Sequence, residues 1–398
     1  MTAPDTLPRV FLLAGRDKRL AQGGPWVYSN EVRMDTEAKA LPLGALVQLM
    51  RVDGKPLAVG MFNPRTLIAF RRLGPPGCAI DRAFVVARVR AALALRDRLI
   101  PEPFYRLIHA EADGLPGLVA DRYGDTVVLQ VGAAGMEVML DDVLAVFDET
   151  FAPKTVVLRN DSHIRTLEGM KLYVKTPRGG VDGPIPMREN GLEFLADPLA
   201  GQKTGWFFDQ RRNRKMVADL CRHGGTVLDL YCHTGGFAVG AAAAGAASVL
   251  AVDRSAPALD LARKAAARNG VAGKIAFEQA DAFDRVEALG REGRRFDVVI
   301  ADPPAFVKAR KDLGSGAKGY RKLMRLAAGL VAPGGFMFVA SCSHNMTSDL
   351  FAAEVAKGLS LAGRDGRVLA ATGADVDHPV HPHLPETQYL KAQLLQVD

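Results

Sequence analysis

Two residues towards the end of the chain invite a chemical reading first. Asp302 stands in Ala301-Asp302-Pro303-Pro304, closing the apolar run RRFDVVIADPP, and Cys342 stands in Ser341-Cys342-Ser343-His344, closing GGFMFVASCS. Both runs read as β-strands, and the paired prolines stop the first one and hold its acid at the edge. If the strands are neighbours, about 4.8 Å apart, thiol and acid overlook one pocket. That pairing suits a particular reaction. Carbon 5 of a cytosine is too weak a nucleophile to attack a sulfonium methyl, but a thiolate added at carbon 6 turns the ring into an enamine that attacks readily. The acid would hydrogen-bond the ring nitrogen or the exocyclic amine and favour protonation as the thiol adds. A base must then remove the carbon-5 proton, and no residue declares itself for that task. Cys78, Cys221 and Cys232 read as small buried hydrophobes.

Three earlier strands, TVLDLY, SVLAVD and KIAFEQAD, carry acids at or near their ends: Asp229, Asp253 and Asp281. After Asp229 the chain runs through Thr234-Gly235-Gly236, where two glycines let the backbone approach a ligand closely. Asp253 is placed to accept both hydroxyls of a ribose, and Asp281 to accept from the amine of an adenine. No G-x-G-x-x-G wraps a pyrophosphate, so S-adenosylmethionine, which has no phosphate, fits better than NAD. Any one of these acids could simply cap the helix after it; three in order argue for an adenosine-shaped pocket.

The elements that must position these residues alternate strand and helix from Thr226 onward, which predicts an α/β fold with a doubly wound, mostly parallel sheet. Upstream, Val10 to about Leu73 gives short β-forming runs separated by turns, a small all-β module. Its segment GRDKRLAQGGPWVYSN joins Arg16, Lys18 and Arg19 to Trp26 and Tyr28, a mixture suited to phosphate contact and base stacking, or equally to a solvated loop with two aromatics in a small core. Residues 1–75 hold 11 basic against 6 acidic side chains, most of the net +7. A helix around Ala83 to Leu99, antiparallel strands, a helix at about Glu137 to Thr150 and the strand TVVLRN make an α+β middle region. Its Glu111, Asp113 and Asp121 read as hairpin-corner residues more readily than as a carboxylate site. With TPRGGVDGPIP as a second boundary, the domains are 1–75, 76–190 and 191–398.

Composition excludes several classes. The 398 residues are 48% hydrophobic and 24% charged, as in globular chains. The stretch Gly235 to Val252 is Ala/Gly-rich rather than a membrane span, and the first apolar run is too short for a signal peptide. Four scattered cysteines suggest neither disulfides nor a metal site, which fits a reducing cytoplasm. Oligomeric state, monomer or homodimer, stays open.

With these residues in view the chain resembles the bacterial large-subunit ribosomal RNA cytosine-5 methyltransferases, nearly end to end. The supporting segments are GRDKRL and PWVYSN; DGLPGLVADRYGD; and GQKTGWFFDQRRNR, TGGFAV, DPPAFV, SCSHNMTSDLF, DHPV and PETQYLK. The resemblance implies an N-terminal PUA domain, a central β-rich domain and a Rossmann-like methyltransferase domain. It implies that Gln210, Thr234, Gly235, Gly236, Asp253, Asp281 and Asp302 line an S-adenosylmethionine pocket, and that Cys342 is the nucleophile acting on ribosomal RNA. DPPAFV has Ala305 where a lysine is expected, and no second cysteine lies near Asp302 to assist release. Two rivals remain at this point: methylation of a purine nitrogen, which needs no thiol, and a non-catalytic RNA-binding assembly factor.

Overall fold

The computed structural model describes residues 7–398, so the first six residues of the expected first domain lie outside it. The chain forms two compact units. One comprises residues up to 185 with 197–206 and 377–385; the other comprises 186–196, 207–376 and 386–398.

The first unit opens with strands β1 (Arg9–Phe11), β2 (Trp26–Tyr28), β3 (Ala45–Met50), β4 (Pro56–Phe62) and β5 (Ile68–Gly74), arranged 1-3-4-5-2. Val47, Leu49, Phe62 and Phe70 turn inward and are completely buried, as strand alternation requires. A second sheet, β6 (Phe104–His109), β7 (Leu118–Tyr123), β8 (Thr126–Val131), β9 (Thr155–Asn160) and β10 (Tyr173–Arg178), is antiparallel except where β8 meets β9. A parallel pair needs a crossover, which the helices Ala134–Val138 and Leu140–Phe151 supply in place of the single helix expected there. Helix Arg82–Leu99 packs beside them, its N-terminus capped by Asp81, which accepts from the Phe84 N–H at 3.0 Å.

The two sheets share a sealed seam. Met61 of β4 belongs to the core of the second sheet, and the Arg71 guanidinium bridges Glu111 at 2.8 Å and Glu168 at 3.1 Å. Asp113 and Asp121 are likewise occupied, by Arg96 at 2.6 Å and Arg106 at 2.5 Å, so all three middle-domain acids are structural ion pairs. Two stretches from beyond residue 190 complete this unit. The Thr204 hydroxyl donates to Asp121, and buried Asp377 accepts from the Arg106 N–H at 3.0 Å, while its carbonyl accepts from Arg96 at 2.9 Å.

The second unit carries the hairpin β11 (Ile185–Glu189) and β12 (Leu192–Ala196), then β13 (Thr226–Leu230), β14 (Ser248–Asp253), β15 (Ile275–Gln279), β16 (Phe296–Ala301), β17 (Val331–Ser341), β18 (Gly366–Thr372) and β19 (Lys391–Val397). The last seven form one sheet in the order 15-14-13-16-17-19-18, parallel except for β19, which runs against both neighbours. This is the expected doubly wound sheet. Helices 282–291, 313–330 and 348–361 share one apolar core with it, while 236–244 and 256–268 pack on β13, β14 and β15. Strand order reverses between β13 and β16, the switch point beyond whose carboxyl ends doubly wound sheets take their ligands.

Candidate active site

Ala301 of β16 lies beside Val339 of β17, so Asp302 and Cys342 leave adjacent strands at the same end. Both are half-buried. Asp302 accepts from the Gln210 amide at 2.8 Å; Gln210 accepts from Asn213 at 2.6 Å, and Asn213 from the Thr372 hydroxyl at 2.7 Å. Gln210, expected among cofactor contacts, is 3% exposed and its amide orients the Asp302 carboxylate.

The turn bearing Cys342 is held from three directions. The Tyr320 hydroxyl lies 2.8 Å from the Ser341 hydroxyl and 2.9 Å from that of Ser343, which also accepts from the Val307 N–H at 3.1 Å. Lys391, at the start of β19 and paired with Ser341 across the sheet, donates to the carbonyls of Ser343 at 2.6 Å and Tyr389 at 2.8 Å. Burial pulls the Lys391 ammonium down to about 8, against the opposing influence of Cys342. Tyr320 and Lys391 carried no role in the sequence reading. The available signal was a lysine opening the mostly apolar strand KAQLLQV.

At the other side of the switch point the loop after β13 is strained. Tyr231 (φ 63°), His233 (φ 48°) and Gly235 (φ 82°) all adopt left-handed backbone, at a cost of roughly 1–2 kcal/mol for each non-glycine. A Cβ at Gly235 would meet that of Ala262 at 2.9 Å, so a side chain is excluded there twice over. At Gly236 it would meet the Arg214 guanidinium at 2.5 Å. Asp253 holds the loop: one carboxylate oxygen accepts from the His233 N–H at 2.9 Å and the other from the Ser255 N–H at 2.8 Å. Each oxygen keeps one acceptor site for a ribose hydroxyl. Thr234 is buried, its hydroxyl 3.3 Å from the His233 ring. Asp281 is exposed and does cap its helix, accepting from the Phe283 N–H at 2.8 Å.

Asp229 is different. It is 1% exposed, and neither carboxyl oxygen meets a donor in hydrogen-bonding geometry. Burial, then the charge of Asp302, pushes its pKa well above the usual carboxylate range, and weaker pulls from the Ala238 N–H and Arg214 do not offset them. A buried acid of raised pKa whose oxygens meet no donor, with two carboxylates at the next strand ends, fits a ligand rich in hydroxyls and amines and free of phosphate.

The N-terminal basic and aromatic set divides. Arg16 and Lys18 are exposed. Arg19 is engaged with Glu31 at 2.7 Å and lies over the Tyr28 ring, and the Trp26 indole donates to Glu111 at 2.8 Å. Beside them a cleft of about 470 Å³ is lined by Arg72, Arg88 and His381, which the sequence reading did not single out. Among the described residues there is no cluster of three or more His, Cys, Asp or Glu suited to a metal ion, and no helix long and apolar enough to cross a membrane.

Against this geometry, the family model for S-adenosylmethionine-dependent methyltransferases matches residues 182–365, and that for PUA-like domains matches residues 10–74. A structure described as an S-adenosylmethionine-dependent methyltransferase of Streptococcus mutans shares the fold over 98% of this chain and 100% of its own (TM-score 0.83, 20% identity). A second, a methyltransferase complexed with S-adenosylhomocysteine, does so with TM-score 0.83, 19% identity and the same coverage. The fold and site thus define an S-adenosylmethionine-dependent methyltransferase preceded by a PUA-like domain. The ribosomal RNA large subunit methyltransferase I of Shewanella amazonensis is 36% identical over 98% of this chain and 99% of its own length. That of Klebsiella pneumoniae is 37% identical over 96% and 97%. The chain belongs to the large-subunit ribosomal RNA methyltransferase I family.

Proposed function

We propose that this protein methylates carbon 5 of a cytosine in large-subunit ribosomal RNA, with Cys342 as nucleophile. The observation that carries the reading is the common exit of Asp302 and Cys342 from adjacent strands beside the switch point. S-adenosylmethionine, when bound, supplies the methyl group. Asp253 would receive its ribose, Asp281 its adenine amine and the Thr234-Gly235-Gly236 turn its backbone-facing edge, with Asp229 beneath.

The Cys342 sulfur bonds to carbon 6 while the ring nitrogen gains a proton, favoured by Asp302 held in place by Gln210. Carbon 5, now an enamine carbon, takes the methyl group. Loss of its proton to a base then breaks the carbon–sulfur bond, the ring nitrogen gives up its proton, and the thiolate is returned. For RNA affinity, Arg16 and Lys18 remain available on the surface, and Arg72 and Arg88 add cleft-lining cations. Arg19, Trp26 and Tyr28 contribute by shaping that face.

The test uses RNA containing 5-fluorocytosine, whose fluorine cannot leave as a proton, so the thioether persists. A shifted band on a denaturing gel is expected with the wild-type chain and cofactor, and none with Cys342→Ala. That variant should bind S-adenosylmethionine normally and transfer no methyl group. Methylation by Cys342→Ala, with no trapped wild-type species, would instead favour nitrogen methylation of a purine.

A further inference from the structure

Resting on that reading of Cys342, we propose that Lys391 takes the thiol proton of Cys342 and then stands as the cation that holds it as a thiolate. The topology brings the two together. β19 is inserted antiparallel against β17, and the register sets Lys391 beside Ser341, so its side chain rises along the turn that presents Cys342. Its amine is pinned by the Ser343 and Tyr389 carbonyls, one from the turn and one from the approach to its own strand.

Both pinning groups are neutral acceptors, and among the described residues no carboxylate lies within ion-pair distance of Lys391. A buried ammonium without a carboxylate is costly, and here burial lowers its hold on the proton while Cys342 raises it. As a neutral amine, Lys391 uses its two N–H groups on the two carbonyls. The remaining tetrahedral direction is then a lone pair. Transfer breaks the S–H bond of Cys342 and makes a third N–H bond on Lys391, leaving a thiolate beside an ammonium with no charge created overall. When the carbon–sulfur bond later breaks, the thiolate returns to the same partner.

Two hydroxyls near the turn are engaged with other groups. The Tyr320 hydroxyl is shared between Ser341 and Ser343, and the Tyr389 hydroxyl donates to Asp209 at 2.5 Å. The His344 ring packs against Tyr389 at 5.4 Å, and Asp302, on the neighbouring strand end, carries a charge that would oppose a thiolate. A nucleophile set beside an acid therefore needs a cation on its other side.

The experiment follows carboxamidomethylation of Cys342 against pH by peptide mass, with half-buried Cys78 as reference thiol in the same chain. In the wild type Cys342 should reach its rate plateau at lower pH than Cys78. Lys391→Met should move the Cys342 profile upward, slowing its alkylation at neutral pH by about tenfold for every pH unit that the midpoint rises, with Cys78 unchanged. Lys391→Arg, which restores a cation, should bring the low-pH plateau back, while Lys391→Gln, which keeps N–H donors for the two carbonyls without a charge, should leave the midpoint raised; rescue by both would mean a purely structural role for the carbonyl bonds. Should these variants fail to fold, the wild-type thiolate titration before and after blocking Cys342 decides: an ordinary or raised midpoint overturns the pairing. A Lys391→Met profile equal to wild type, in protein still trapped by 5-fluorocytosine RNA, overturns the role of Lys391 and leaves Cys342 as nucleophile. Absence of trapping together with methylation by Cys342→Ala overturns the underlying reading instead.

Discussion

The four thiols of the chain differ in environment, and environment sets two of them apart from the proposed nucleophile, Cys342. Burial pushes Cys221 up to about 11, and burial with the nearby Asp229 pushes Cys232 well above the usual thiol range, so both stay protonated and inert. The same logic applied to Asp229 yields a stability prediction. Its carboxyl is raised in the folded state relative to the unfolded one, so the stability it contributes is full at low pH and lost as pH rises through its folded value. Asn cannot ionise. In thermal unfolding without cofactor, Asp229→Asn should therefore gain on the wild type steadily from pH about 4 towards neutrality. A difference independent of pH would mean that Asp229 is charged in the folded protein. The same variant is expected to bind S-adenosylmethionine more weakly, a stability gain at the expense of the site.

At the level of elements, the loop after β13 depends on its neighbour. Removing the Asp253 carboxylate takes away the proposed ribose acceptor and the clamp on a left-handed His233 together. Asp253→Ala should weaken S-adenosylmethionine binding by roughly 1.5–3 kcal/mol in calorimetric titration, with circular dichroism unchanged; an unaltered dissociation constant would remove Asp253 from the pocket. The strand-end acids, the glycine turn and Cys342 were legible in the sequence because each sits at a local change of pattern, where an apolar run stops at a polar residue. Gln210 and Lys391 were not legible in their observed roles, because those roles come from pairing at a distance. Gln210 reaches Asp302 from 92 positions away, and Lys391 reaches Ser343 from 48. The Trp26 and Tyr28 pattern stayed ambiguous for a related reason: the Glu111 that engages Trp26 is 85 positions along, and a stacking surface and a packed seam share the same local composition. Within the middle domain one helical pattern covered two helices, since the break at Met139 carries neither glycine nor proline.

For the molecule as a whole, the seam between the first two sheets decides how RNA binding can be tested. Deleting residues 1–75 would strip Met61 from a shared core and leave Glu111 and Glu168 without Arg71, so loss of binding would report damage. Charge reversal in the cleft is cleaner. Arg72→Glu with Arg88→Glu should weaken RNA binding and flatten its dependence on log salt by roughly 0.7–0.9 for each phosphate that is no longer neutralised, with cofactor affinity unaltered; an unchanged slope would move the RNA path elsewhere. The segment around Asp377 has a consequence for how the chain is made. Synthesis proceeds at about 5–20 residues per second, so roughly 200 residues separate the emergence of β10 from that of Asp377, an interval of about 10–40 s. Throughout it the first half of the chain holds Arg96 and Arg106 with only part of their final partners. The half that is translated first is therefore sealed late, almost together with the strand that brings Lys391.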